Sequence, residues 1–251
     1  MRKILLRVAY DGGAYAGWQS QTNARAIQDV FEEALAEILG ERARVRAASR
    51  TDAGVHAADQ AVHFTTTRPF NPKALVRGVT RHLPGDIAVL DAREVPLGFD
   101  ACRDAVLKRY RYRLLTSPQR DPLRRDRVWW MRHSLDLARM ETAAEALVGE
   151  HDFLAFQGPK SDTTTTVREM YAAWWERVGD ELQFVIEGRA FLRYMVRSIV
   201  GTLVDIGRGR RPVEHLAALL ARPDRALVGP TAPARALCLE RVGYRGESGD
   251  G

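Results

Sequence analysis

Lysine is almost missing from this chain: only Lys3, Lys73, Lys108 and Lys160 occur among 38 basic residues, which leaves 34 arginines. Cysteine is scarcer still. Cys102 and Cys238 are too few for a disulfide framework and lack metal-ligand spacing, so the sequence predicts a reduced, cytoplasmic chain. The six histidines form neither HxH nor HExxH pairs, and no metal is expected. No apolar run is long enough to span a bilayer, so no membrane partner is expected, and Arg7 interrupts the opening hydrophobic stretch well short of a signal-peptide core. Neither GxGxxG nor a GxxxxGK motif is present. The glycines of YDGGAYAGWQSQ are therefore not read as a phosphate loop, and no cofactor is expected.

What is present is an ordinary globular composition with a basic bias. The 251 residues are 45% hydrophobic and 28% charged, with a net charge of +6. That length suffices for one large or two small domains. Arginine grips phosphate bidentately and stacks on bases, which raises the weight of a nucleic-acid partner, although a solvated basic surface accounts for the same residues. Hydrophobic periodicity predicts a strand at 4–10, a helix at 26–39 closed by Gly40, strands at 44–47 and 60–64, a helix from Asn71-Pro72 to Val79, and a strand at 87–94. This is the ferredoxin-like order. The second half repeats it, with a strand at 107–115, a helix at 135–148, a hairpin of 171–177 and 182–188 around Gly179-Asp180, helices at 191–206 and 213–220, and a last strand at 236–244. The expected fold is α+β: two ferredoxin-like or RRM-like halves with mainly antiparallel sheets, 1–100 and 101–245. Segments 116–127 and 157–166 are expected to be mobile loops and 246–251 a flexible tail.

Four stretches carry chemistry-bearing residues. In AASRTDAGVHAADQAVHF (47–64) Asp52 sits on a loop of about ten residues between two strands. A turn explains it, and so does a site, since hairpin loops normally take two to five residues. In KRYRYR (108–113) alternation puts Lys108, Tyr110 and Tyr112 on one face and Arg109, Arg111 and Arg113 on the other. Tyrosines on a sheet surface stack unpaired bases in several RNA-binding folds; core packing with a satisfied hydroxyl is the competing account, favoured for Tyr112 and open for Tyr110. Helix 191–206 carries Arg193 and Arg197 at i, i+4, and Arg197 borders an apolar stripe, where it snorkels to solvent or meets a carboxylate. Arg208, Arg210 and Arg211 form a positive loop, either a phosphate contact or a solvated turn.

YDGGAYAGWQSQ, SRTDAGVHA, LPGDI, KRYRYRL and FLRYMVRSIVG occur in an order that resembles the tRNA pseudouridine synthase A family, from Tyr10 to Val242, with RTDAGVH the most specific block. The resemblance implies an enzyme of the pseudouridine synthase fold that isomerises uridine to pseudouridine at positions 38, 39 and 40 of the tRNA anticodon stem-loop, as a homodimer without cofactor. It also implies roles for four residues: Asp52 as catalytic aspartate, Arg50 beside the target nucleotide, Tyr110 against the uracil, and Arg197 as ion-pair partner of Asp52. Cys102 stands where the pattern after Phe99 has arginine, and Arg193-Tyr194 replaces a histidine pair before MVR. The implied reaction breaks the N-glycosidic bond and joins C5 to C1′ without redox change, so a carboxylate suffices, either attacking C1′ or removing the C2′ proton. A non-catalytic protein of two RRM-like modules would explain the charge and the tyrosines, but gives no reason for Asp52 between RT and AGVH.

Overall fold

The computed structural model describes residues 1–159 and 163–247; part of the predicted 157–166 loop and residues 248–251 of the predicted tail lie outside them. The chain divides into two compact units, Met1–Val106 with the segment from Leu239 on, and Leu107–Cys238. The first boundary falls a few residues beyond the expected 100. The last strand forms where expected, at Leu237–Tyr244, and its residues from Leu239 on cluster with the first unit.

The first unit contains β1 (Arg2–Tyr10), α1 (Ile27–Leu39), β2 (Arg46–Ala47), β3 (His56–Thr66), α2 (Pro72–His82) and β4 (Ile87–Val95). Its strands run in the order β4-β1-β3-β10, where β10 is Leu237–Tyr244, and β2 pairs β3. The pairs of β1 with β3 and β4, and of β2 with β3, are antiparallel. α1 buries Ile27, Val30, Phe31, Ala34 and Leu35 at helical spacing, and Gly40 closes it in the left-handed conformation at φ 65°. Asn71 caps α2 by accepting from the Lys73 N–H at 2.9 Å, with Pro72 at the first helical position, where its missing N–H costs nothing. The predicted strand at 44–47 shortens to two residues and the one at 60–64 lengthens to eleven, so the intervening loop is 48–55. At the end of the described residues Glu247 pairs with Arg93 and lies 3.6 Å from Arg7.

The second unit contains β5 (Ala105–Thr116), β6 (Trp129–Met131), α3 (Leu137–Glu145), β7 (Gly149–Asp152), β8 (Val167–Val178), β9 (Glu181–Gly188), α4 (Met195–Gly207) and α5 (His215–Ala221). Its strand order is β5-β9-β8-β7, antiparallel throughout, with β6 added to β5 in parallel. α4 is the core helix, with nearly every residue buried. It starts at Met195, four residues later than predicted, so Arg193 precedes the helix. Segment 116–127 is loop and turn beyond the end of β5, and its Arg124 reaches Asp121, Asp180 and Glu181.

The candidate active site

The main chain of loop 48–55 is held at several points. The Ala48 N–H donates to the Ala61 carbonyl at 2.8 Å, continuing the β2–β3 ladder past its last pair. The side-chain amide of Gln60 then stands in for a further rung: its Oε1 accepts from the Ser49 N–H at 3.2 Å and its Nε2 donates to the Ser49 carbonyl at 2.7 Å. Gln60 is fully buried, and an unpaired amide there would be costly, so these bonds are structurally demanded. Thr51 points inward, with its hydroxyl 2.8 Å from that of Tyr10. The Val55 N–H donates to the Asp52 carbonyl at 3.1 Å, and Gly54 takes φ 78° to complete the turn. Asp52 is half-buried and Arg50 is exposed.

The glycine-rich segment ahead of α1 forms the floor under this loop. Its Trp18 N–H donates to the Thr51 carbonyl at 3.1 Å, and the Gly54 N–H donates to the Tyr15 carbonyl at 3.3 Å. The carbonyls of Gly17 and Trp18 in turn accept from the Ile27 and Gln28 N–H groups, which are orphan donors at the start of α1. A side chain on Gly12 would lie 1.9 Å from the Val55 carbonyl oxygen, and one on Gly17 would lie 2.7 Å from that of Thr51. Close backbone approach, rather than phosphate binding, is what these glycines supply. The LPGDI segment completes the frame: the Asp86 carbonyl accepts from the Asp11 N–H at 2.8 Å, and its carboxylate accepts from the Tyr15 hydroxyl at 2.7 Å. Burial, and secondarily this carboxylate, push the Tyr15 hydroxyl up to about 12.

In the second unit the two tyrosines of β5 both face inward. Tyr112 is 0% exposed and donates to the Pro233 carbonyl at 2.9 Å, so it is a core residue whose burial raises its pKa. Tyr110 is 6% exposed, with its ring edge-on to Phe191 at 4.9 Å between centroids. The arginines of the opposite face are engaged across strands: Arg109 with Glu187, Arg111 with Glu176 and Arg113 with both oxygens of Glu181. Arg211 is likewise turned inward to the Leu227 carbonyl and Asp205. Part of the basic excess is thus neutralised inside the unit.

Arg197 lies on the first turn of α4, half-buried, and donates from Nε to the Ala232 carbonyl at 2.7 Å. Its guanidinium carbon is 5.0 Å from the centroid of the Tyr194 ring. Tyr194, the residue before the helix, has φ 61°, a left-handed conformation that costs a tyrosine about 1–3 kcal/mol.

Asp52 and Arg50 therefore share one loop of the first unit, while Tyr110 and Arg197 belong to the second. Sequence reasoning missed Gln60, Tyr10, Asp86 and Tyr194. Gln60 alone had a signal, as a polar residue at an inward position of a strand. Cys102 is exposed in a turn where the Asp100 carboxylate accepts from the Cys102 and Arg103 N–H groups, both at 3.0 Å. Among the described residues no group of three or more His, Cys, Asp or Glu could hold a metal, and no helix is long and apolar enough to cross a membrane.

The two blocks that build the Asp52 loop and the arginine-bearing helix fall inside residues 7–103 and 143–245, which match a family described as tRNA pseudouridine synthase, and the chain belongs to that family. Full-length relatives agree. The chain is 46% identical over 244 residues to a tRNA pseudouridine synthase A of Pelobacter propionicus, covering 97% of this chain and 100% of the relative. It is 45% identical to that of Myxococcus xanthus, over 98% and 93% of the two chains. It is 43% identical to that of Geobacter sulfurreducens, over 97% and 100%. The protein is an isomerase of RNA uridine, and the non-catalytic RRM-like reading gains nothing from these relatives.

Proposed function

We propose that this enzyme converts the uridines at positions 38, 39 and 40 of the tRNA anticodon stem-loop to pseudouridine, in the cytoplasm, as a homodimer and without a cofactor. Asp52 is the catalytic carboxylate, Arg50 the basic residue beside the flipped nucleotide, Tyr110 the aromatic against the uracil, and Arg197 the ion-pair partner that keeps Asp52 charged. The observation that carries this reading is the loop itself. Its shape is secured by main-chain bonds, by Gln60 and by Thr51, while it holds a half-exposed carboxylate at its turn. Mapping pseudouridine in tRNA from a strain lacking the protein tests the assignment. Loss confined to positions 38–40 is the expected result, and intact modification there overturns it.

Three further outcomes follow from the same reading. Affinity for tRNA falls with salt by several phosphate equivalents in a log-log plot, because backbone phosphates dominate the encounter; a flat response in filter binding contradicts it. Sedimentation at micromolar concentration gives about twice the 28.1 kDa chain mass, since a tRNA is larger than one such chain readily spans, and a monomer alone contradicts the dimer. Tyr110→Phe keeps the ring and most of the activity, whereas Tyr110→Ala loses a base stack worth about 1–3 kcal/mol. Because Tyr110 also packs on Phe191, a melting curve is needed to separate stacking from stability, and near-normal turnover of the Ala variant removes Tyr110 from the site.

A further inference from the structure

Tyr194 is a poor local choice for its position. It precedes the first residue of α4, where Ser, Thr, Asp or Asn would cap the helix, and its side chain makes no cap bond. It is also the described non-glycine residue with a positive φ. What holds it there is specific. The Gly158 N–H donates to the Arg193 carbonyl at 2.8 Å, and the ring rests on the bare Cα of that glycine, where a Cβ would lie 2.5 Å from Tyr194 Cδ2. The guanidinium carbons of Arg193 and Arg197 stand 4.9 and 5.0 Å from the ring centroid. Arg197 Nε is committed to the Ala232 carbonyl, and the Ala232 N–H returns a bond to the Arg197 carbonyl at 3.1 Å. The stem of Arg197 is thereby pinned, and its guanidinium lies within cation–π distance of the ring.

We propose that Tyr194 is a positioning residue for the reaction: its ring, held left-handed on Gly158, sets the orientation of the Arg197 guanidinium. The inference rests on the reading of Arg197 given above. Aromatic contact, not the hydroxyl, does the work, so Tyr194→Phe retains most of the rate. Tyr194→Leu keeps an apolar side chain and lacks the π face; its kcat falls about 10- to 100-fold, the scale of a misplaced catalytic group, while KM and tRNA affinity stay unchanged. Gly158→Ala, which displaces the ring without altering it, gives the same kcat loss and serves if Tyr194→Leu does not fold. The deciding measurement combines Tyr194→Leu with Arg197→Lys in single-turnover assays of tritium release from C5-labelled tRNA. If Tyr194 acts through Arg197, the double variant is no slower than Arg197→Lys alone. A full additional loss in the double variant, or wild-type kcat for both Tyr194→Leu and Gly158→Ala, overturns the proposal. Wild-type kcat for Arg197→Ala overturns instead the assignment of Arg197 on which it depends.

Discussion

Asp52→Asn is expected to abolish pseudouridine formation while leaving the fold and tRNA binding intact. Asparagine nearly matches aspartate in shape and cannot act as nucleophile or base at C1′ or C2′. The loop is held at several points that the substitution leaves in place. Its turn is closed by the Asp52 carbonyl, its approach is fixed by the Gln60 amide pair with Ser49, and Thr51 is tied to Tyr10. A melting curve and a filter-binding titration on one preparation should therefore match wild type. Were Asp52 only a turn residue, the variant would keep its activity and lose at most about 1 kcal/mol of stability. Turnover by Asp52→Asn, after deamidation to Asp has been excluded, would falsify the catalytic assignment.

Gly12→Ala is expected to be the most damaging of the small substitutions in the first unit. The new methyl would sit 1.9 Å from the Val55 oxygen and 2.6 Å from its carbonyl carbon, and both atoms are backbone. The strand entry after the Asp52 loop must move, which costs about 1–3 kcal/mol or more in overpacking. A shift of about 1 Å in the loop also lowers turnover by about 100-fold. Gly13→Ala is the control. Its methyl would meet only Asp11 Oδ1, at 3.1 Å, a side-chain atom that needs to give by a few tenths of an ångström where the Val55 backbone would have to give by far more, so the variant loses much less stability than Gly12→Ala. Thermal melting and turnover of the pair check the claim, and equal behaviour of the two variants contradicts the close-approach account.

The fold was legible wherever the pattern is local. α1 follows from its apolar spacing and Gly40, α2 from Asn71-Pro72, and the β8–β9 hairpin from Gly179-Asp180. What failed was non-local. The return of β10 to the first unit has no signature in 237–244, because pairing across the length of a chain leaves no periodicity. The start of α4 is hidden in the sequence because Phe191 and Leu192 continue its apolar pattern, while the left-handed Tyr194 sets the helix to begin at Met195. The engagement of the β5 arginines was not legible, because their partners, Glu176, Glu181 and Glu187, lie more than sixty residues further along. At the site, RTDAGVH pointed to Asp52, but the supports, Gln60, Tyr10 and Asp86, are ordinary strand and turn residues until the chain folds.

One measurement tests the central claim most directly: tritium release from tRNA labelled at uridine C5, incubated with the purified wild-type enzyme. Formation of the C5–C1′ bond expels the C5 hydrogen, so release must accompany every turnover without an added metal or nucleotide cofactor. Release matched one for one by pseudouridine in the anticodon stem-loop is the predicted result. A protein that binds tRNA and releases no tritium from it contradicts the account.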